Sequence, residues 1–327
     1  MIDLHNRCIL YREFGKPLDV LNLETEAITL LRAGEIRAEM KLAPINPSDL
    51  IPIYGHYAHR IALPQIVGYE GVAEICEVGQ GVSASLLGQR ILPLRGEGTW
   101  QQLITLPAAN AVFIPDEISD IAAAQLYINP LTAWLICHEE FKLKAGGILI
   151  VNAANSAIGK IFAQLCQQLG VKMIAVVRRP QPALLDLGAW AVIDSAKEKV
   201  LEQVLKLSEG KGADYAIDLI GGLQGTELAS SLAEQGQFLV LGLLSGQTVD
   251  WPYIHTHLKI KSSMFHLRMW NTKVSKDQWH RVLNHVIALV KNKQLLLQEK
   301  GDIFVMDDFQ LAIQACQRGE RKVFLSS

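Results

Sequence analysis

The chain reads as an α/β protein of two parts: a β-rich first domain and a second domain built on a doubly wound parallel sheet. Three observations predict this. Short or alternating apolar runs, punctuated by Gly and Pro, fill residues 1 to about 115. Residues 148–180, ILIVNAANSAIGKIFAQLCQQLGVKMIAVVRRP, have the length and pattern of a strand–turn–helix–strand unit, whose two strands must run parallel. From there to residue 262, strand-like and helix-like segments keep alternating.

Bulk properties narrow the function classes. The 327 residues are 50% hydrophobic and 20% charged with a formal charge of −2, a length and composition that support two domains with cores of their own. Near-neutral charge without basic clusters argues against a nucleic-acid or membrane-surface role. No uninterrupted apolar run reaches transmembrane length. The N-terminal MIDLHNRCILYREFG, interrupted by Asp3 and Glu13, has the pattern of neither a secretory signal nor a transit peptide. The five cysteines, at 8, 76, 137, 166 and 316, make no C-x-x-C pair and no metal spacing. They are expected to be reduced thiols of a cytoplasmic protein.

In the first part, strands are expected at Arg7–Tyr11, Glu35–Leu42, Gly71–Val78, Arg90–Pro93 and Gln101–Leu106, with short helices over 47–54 and 119–124. Ile148–Val151 is an apolar run suited to a strand buried on both faces. Ile158, Ile161, Phe162, Leu165, Cys166 and Leu169 then form one helix face, with Lys160, Gln164, Gln167 and Gln168 opposite and Gly170 as the stop. Met173–Val177 is the second strand. The alternation continues as helix 182–187, strand 191–194, helix 196–207, strand 214–220, helix 224–234, strand 237–242 and a last strand near 258–262. After 265 the chain turns helical. Ser275 and Gln278 make a capping box ahead of a face of Trp279, Val282, Leu283, Val286, Ile287 and Val290. Asp307 or Asp308 caps a further helix ending at Gly319, and Arg321–Leu325 reads as a closing strand.

The turn after Val151 carries the chemistry. A dinucleotide needs its pyrophosphate against backbone N–H groups at a helix N-terminus, and small residues permit that approach. Ala153, Ser156 and Gly159 keep the G-x-x-G-x-x-G spacing with one glycine of three, Asn155 and Ser156 sit at the helix start, and Ala157 and Ile158 open its first turn. The same spacing serves an ordinary capped helix in an α/β protein. A site for NAD places an acid about 20 residues further on. No acid lies between Val151 and Asp186; Arg178 and Arg179 follow the second strand instead. Two guanidinium groups suit a 2′-phosphate, so the cofactor reads as NADPH, against the alternative of a solvated strand end. Gly221-Gly222 and Gly242-Leu243-Leu244-Ser245 follow two later strands at the carboxyl edge, where ligands bind and where simple turns also use glycine.

The phrases NPSDL (46–50), LPQIVGYEGVAEICEVGQGV (63–82) and GTWQQ (98–102) resemble the GroES-like catalytic domain of the medium-chain dehydrogenase/reductase superfamily. Asn129-Pro130-Leu131-Thr132-Ala133 resembles the family's N-P-x-T-A phrase, in the helix over 118–138 that leads into its Rossmann cofactor domain. The resemblance implies a catalytic domain of 1–117, completed by 266–327, and a cofactor domain of 118–265, with Asn129 and Thr132 among the cofactor contacts. Zinc members place a cysteine near Asn46 and a His-Glu pair where Tyr69-Glu70 stand; both ligands and the four-cysteine lobe are missing, so no metal is expected.

NAANS, VVRRP, NPLTA and GYEGV together resemble the zinc-free, mitochondrial-type trans-2-enoyl-CoA/ACP reductases, with the quinone oxidoreductases as the neighbouring branch. That resemblance implies NADPH-dependent reduction of an activated C=C bond, with hydride to the β-carbon and a proton to the α-carbon of a 2-enoyl thioester. Tyr57, within Gly55-His56-Tyr57, matches the family's tyrosine after N-P-[SA]-D and is the implied catalytic residue; a loop tyrosine packed on the domain edge is the plain alternative. Gly242 and Leu244 fall to the cofactor, Lys322 to its phosphates, and Asn46, Phe265 and Trp270 to the substrate pocket. Two stretches depart from the family. His59-Arg60-Ile61-Ala62 follow Tyr57 where the family has a short apolar-proline turn, and FHLRMW (265–270) is one residue long in its spacing to Trp270. His56, His59, Arg60 and Arg268 suit a phosphopantetheine or CoA phosphate, or equally a solvated rim. Family members of this length pair as homodimers through a sheet edge, which the strand near 258–262 would supply. The alternatives to the enoyl reductase are an NADPH:quinone oxidoreductase and an NADPH-binding module without turnover.

Overall fold

The computed structural model describes residues 5–94, 98–319 and 321–327. It divides into two compact units. The first extends to Ile128 and regains Ile287–Lys291 and Leu297–Ser327, while the second holds Asn129–Val286 and Asn292–Leu296. The first boundary thus lies beyond the expected 117, and residues 266–286, expected with the first domain, pack in the second. Local bonds account for both shifts. The Glu70 carboxylate holds the N–H of Ile128 at 2.8 Å within the first unit, and Trp270 Nε1 donates to Glu139 Oε2 at 3.0 Å within the second.

The first unit opens with β1 (His5–Tyr11), α1 (Pro17–Val20), β2 (Leu21–Ala27), β3 (Glu35–Pro44) and α2 (Pro47–Leu50). It continues through β4 (Gln65–Ile66), β5 (Val72–Val78), β6 (Arg90–Pro93), β7 (Leu103–Pro107), β8 (Ala111–Phe113) and α3 (Asp120–Ala123). The five expected strands are β1, β3, β5, β6 and β7. β2, which is largely exposed, is not among the expected strands although Leu21, Leu23, Thr25 and Ala27 alternate with Asn22, Glu24 and Glu26. It forms by pairing with β1 along its whole length, from His5 against Ala27 to Tyr11 against Leu21. With β4 these make a three-stranded antiparallel sheet.

The second unit is entered through α4 (Ile128–Leu135), which runs into a π turn over Ile136–Glu140. The helix expected across 118–138 is therefore broken into α3, a turn, α4 and this π segment. Next come β9 (Ile148–Val151), α5 (Ala157–Leu169), β10 (Lys172–Val177), α6 (Ala183–Asp186), β11 (Ala191–Asp194) and α7 (Val200–Leu207). β12 (Ala213–Asp218), α8 (Gly222–Ser230), β13 (Leu232–Val240), α9 (Trp251–His257) and β14 (Lys261–Met264) complete the alternation. The six strands are parallel throughout in the order β11-β10-β9-β12-β13-β14, so the winding reverses between β9 and β12. Ile150, Ile174, Ile193, Ala216 and Phe238 lie in the core between sheet and helices. Some boundaries move from expectation. α7 starts after 196 because the N–H groups of Lys197 and Glu198 turn back onto the Asp194 carbonyl. α8 is shorter than 224–234 because β13 already begins at Leu232, paired with Ala213, and the last strand is β14 rather than 258–262.

The chain ends with α10 (Leu267–Lys273), α11 (Lys276–Lys291), β15 (Asp302–Val305), α12 (Phe309–Arg318) and β16 (Val323–Ser326). Ser275 Oγ accepts from Gln278 N–H at 3.2 Å, one of the two bonds of the expected capping box, and Trp279, Val282, Leu283, Val286 and Ile287 are buried. Neither Asp307 nor Asp308 caps α12 with its side chain: Asp307 pairs with Arg7 at 2.6 Å instead. Gly319 ends α12 in the left-handed conformation. β16 pairs with β3 and β15 within the first unit, completing a seven-stranded sheet over a core of Ile9, Ile36, Ile75, Trp100, Ile313 and Leu325.

One contact fixes how α5 leaves the sheet. A Cβ added to the buried Gly159 would lie 2.4 Å from the Ala154 carbonyl oxygen. Gly159→Ala is expected to push α5 off its turn and lower stability by about 2 kcal/mol, read as a lower denaturant midpoint at unchanged slope. An unchanged midpoint would mean that α5 is not seated on the turn this closely.

Candidate active site

In the second unit the sequence-predicted cofactor residues gather at the carboxyl edge of the sheet. The chain leaves β9 through buried Asn152 and then takes a left-handed step at Ala153, φ +46°, a conformation that usually calls for glycine. Ser156, not Asn155, caps α5: its Oγ accepts from Gly159 N–H at 3.3 Å. Asn155 Nδ2 donates to the Arg179 carbonyl at 2.8 Å, joining the ends of β9 and β10, while its Oδ1 is buried with no hydrogen-bond partner. The first N–H groups of α5, on Ala157 and Ile158, are of the kind a helix leaves without an internal acceptor. Arg178 and Arg179 are exposed, and among the described residues neither forms a salt bridge. An orphaned acceptor, open helix N–H groups and two unpaired guanidinium groups fit the phosphate end of a dinucleotide.

The opposite side of the winding reversal is already occupied by the protein's own anion, which sequence reasoning missed. Asp218, fully buried at the end of β12, accepts from Asn152 Nδ2 at 2.6 Å and from the N–H groups of Ile220 and Gly221 at 3.0 Å. Asn152 Oδ1 in turn accepts from Leu219 N–H at 2.7 Å. The signal was an Asp followed by Ile220-Gly221-Gly222 and then Gly225, where a Cβ would lie 2.4 Å from Asp218 Oδ2. Gly242 N–H reaches the Asp218 carbonyl at 3.1 Å and Leu244 N–H the Leu219 carbonyl at 3.2 Å, which leaves the Leu244 side chain exposed along this edge. On α4, Asn129 is half-buried and Thr132 buried.

Within the first unit a second group assembles. Asn46 opens α2 in a reciprocal cap with Asp49, whose Oδ2 accepts from Asn46 N–H at 2.7 Å. Asn46 Nδ2 donates to Glu70 Oε1 at 2.8 Å, and its Oδ1 accepts from Lys322 Nζ. Asn46 was expected at the substrate and Lys322 at the cofactor phosphates; the structure commits each to the other inside this buried cluster. Tyr57 follows α2 through successive tight turns, with Gly55 at φ +87°, and starts a short 3₁₀ turn over Ala58–Arg60. The Arg60 guanidinium lies over the Tyr57 ring, 3.8 Å from its centroid. His56 and His59 are exposed. Phe265 and Trp270 belong to the second unit, where Phe265 is buried and Trp270 is held by Glu139 from the π turn. Among the described residues no group of three or more His, Cys, Asp or Glu is placed to hold a metal ion.

Comparison with known proteins agrees with both halves of this layout. Residues 32–116 match the alcohol dehydrogenase GroES-like domain family, and residues 157–287 match the zinc-binding dehydrogenase family. Human mitochondrial enoyl-[acyl-carrier-protein] reductase is 30% identical over 98% of this chain and 87% of its own. The chain belongs to the medium-chain dehydrogenase/reductase superfamily. It is an oxidoreductase with a GroES-like unit and a Rossmann-type unit. A Bacillus thuringiensis structure, described as a candidate NADPH:quinone reductase, is 48% identical with a TM-score of 0.95, covering 99% of this chain and 100% of that one. The Candida tropicalis mitochondrial 2-enoyl thioester reductase, solved as an Etr1p/Etr2p heterodimer, is 26% identical with a TM-score of 0.85 over the full length of both chains.

The cluster around Asn46 in this oxidoreductase holds two carboxyl groups against one ammonium. Burial pushes the Asp49 carboxyl up to about 7, aided by the nearby Glu70 charge and opposed by the Asn46 N–H bond. Burial also raises Glu70 and lowers Lys322. Asp49 Oδ1 is buried without a hydrogen-bond partner, as suits a neutral carboxylic acid better than a carboxylate. A raised carboxyl favours the folded state most below its unfolded pKa, near 4, and that contribution is lost as pH rises through about 7. Asp49→Asn is therefore expected to raise the thermal midpoint at pH 8 and flatten its decline between pH 5 and 8. A midpoint lowered at pH 8 would mean that the carboxylate is ionised and paired.

Proposed function

We propose that this oxidoreductase uses NADPH to reduce the activated C=C bond of a 2-enoyl thioester, without a metal. The observation that carries the reading is the phosphate corner of the second unit: open N–H groups at the start of α5, with Arg178 and Arg179 where an acid would select NAD. Ser156, Ala157, Ile158 and Gly159 line the pyrophosphate turn, Asn155 orders the two strand ends, and the arginines receive the 2′-phosphate. Asn129, Thr132, Gly242 and Leu244 complete the cofactor contacts.

The cofactor, when bound, supplies the hydride that adds to the β-carbon. As that bond forms, the alkene electron pair moves toward the thioester, whose oxygen takes up negative charge. Tyr57 would meet that charge with its phenol O–H and return a proton to the α-carbon directly or through water. Phe265 and Trp270 would bound the acyl chain, with Trp270 oriented by Glu139. Metal-free chemistry is supported by Tyr69 and Asn46 standing at the ligand positions of zinc members, and by Asn46 and Glu70 being bound to each other. As a homodimer the enzyme would pair through β14, which ends the six-stranded sheet.

The second reading, NADPH:quinone oxidoreduction, is favoured by the 48% identity to the Bacillus thuringiensis protein described in those terms. The test is NADPH oxidation measured in parallel with crotonyl-CoA, a longer 2-enoyl-CoA and a simple benzoquinone. Saturable turnover of the thioesters, reduced about a hundredfold by Tyr57→Phe, is the expected outcome. Fast quinone turnover with silent thioesters would transfer the protein to the second reading. Silence from all three with NADPH still bound would leave a binding module.

The cofactor choice is tested separately. Replacing Arg178 and Arg179 together by Ala is expected to weaken NADPH about ten- to a hundredfold and NADH far less, measured by titration of cofactor fluorescence. Equal losses for the two cofactors would exclude a 2′-phosphate contact.

A further inference from the structure

The stretch following Tyr57 is where this chain leaves its family's pattern, and it contains an arginine whose surroundings are unusual. Arg60 ends the 3₁₀ turn that Tyr57 begins, and its N–H donates to the Tyr57 carbonyl at 3.0 Å. That fold-back brings the guanidinium over the phenol ring, 3.8 Å from the centroid, well within cation–π range. Arg60 is only partly exposed, and its Nε is buried without a hydrogen-bond partner. Among the described residues it forms no salt bridge, whereas Arg7, Arg12, Arg37 and Arg90 each hold a carboxylate. Desolvating part of a guanidinium without giving it a counter-ion is unfavourable, so the ring under Arg60 is its principal attachment. The neighbouring His56 and His59 offer it no negative charge.

We propose that Arg60 is a positioning residue for Tyr57. Its guanidinium covers one face of the phenol and restricts the ring to the orientation from which the O–H meets the substrate oxygen. Arg60 acts through Tyr57 rather than on the reacting atoms, and the inference rests on the role of Tyr57 proposed above.

The experiment is a double-mutant cycle on the full chain with NADPH and crotonyl-CoA, using Arg60→Met, Arg60→Lys, Tyr57→Phe and the pairs, with thermal midpoints recorded to confirm folding. Arg60→Met is expected to lower kcat about tenfold with KM within about twofold, and Arg60→Lys, which keeps the charge, to recover part of the loss. In the Tyr57→Phe background Arg60→Met should change kcat by less than about twofold. The same tenfold loss in that background would overturn the inference while leaving the role of Tyr57 intact. So would a raised KM at unchanged kcat, which would make Arg60 a binder of an anionic part of the substrate. If the parent does not turn over crotonyl-CoA, or Tyr57→Phe alone leaves kcat unchanged, the role of Tyr57 falls and the inference with it.

Discussion

The buried carboxylate of Glu70 is the constraint on which the first unit depends. A charge removed from water must be paired and hydrogen-bonded or it costs several kcal/mol. Glu70 meets that demand by drawing in segments far apart in sequence. Its carboxylate takes Asn46 Nδ2 at the start of α2 and Ile128 N–H at the start of α4, its carbonyl takes Thr99 Oγ1, and the charge of Lys322, ahead of β16 and bonded to Asn46, partly offsets its burial. The satisfaction of one anion therefore sets where α2 begins, where the chain passes toward the second unit and how the last strand closes the sheet. Tyr57 inherits its place from this arrangement, because only tight turns separate it from α2.

The second unit solves a related problem with backbone groups. A parallel sheet sends all its strands' carboxyl ends, and the N–H groups beyond them, to one edge. At the winding reversal these donors divide into two sets. Those after β12 are taken by Asp218, whose carboxylate is further bound by Asn152 from β9. Those at the start of α5 have no such acceptor, and the residues that follow β10 are cationic. The Asp218 carboxyl thus fills one side of the switch point, and the other side is the one proposed above for the cofactor phosphates. The left-handed Ala153 and the close seat of Gly159 on Ala154 are the backbone costs of bringing that helix start so near the strand end.

Much of the cofactor unit was legible because its signals are local. The apolar stripe from Ile158 to Leu169 and the stop at Gly170 correspond to α5 and its left-handed cap, and β11 covers the expected 191–194. What escaped depends on partners distant in the chain. β2 carries only a short alternation of its own, and its mostly exposed residues are held as a strand by their register with β1. The bonds between Asn152 and Asp218, and among Asn46, Glu70 and Lys322, join residues whose individual types say only that they are polar. The π turn that places Glu139 against Trp270 lies in a segment whose composition reads as continuous helix, and it moves the domain boundary with it. In the candidate site the small-residue turn and the two arginines lie within one strand–helix–strand unit, so their shared place at the sheet edge was legible. The bonds that hold the residues assigned to substrate were not legible, since Asn46 reaches Glu70 and Trp270 reaches Glu139 across long stretches of chain.

The two acceptors under consideration make different demands on the protein, although they draw on the same hydride donor. Nothing at the phosphate corner distinguishes them. When hydride adds to an enoyl thioester, charge collects on a single carbonyl oxygen, and a donor fixed in advance lowers the barrier at that moment. A quinone distributes the incoming electrons over an aromatising ring whose own oxygens are open to water, so a fixed phenol is an option rather than a requirement. A tyrosine left free to rotate would meet the second demand as well as an immobile one. The Tyr57 ring is not left free: it lies beneath an arginine that forms no ion pair among the described residues and that has part of its guanidinium buried without a partner. Such an arrangement is unfavourable for the isolated loop, and the orienting role proposed above for Arg60 toward that phenol would give it a physical reason.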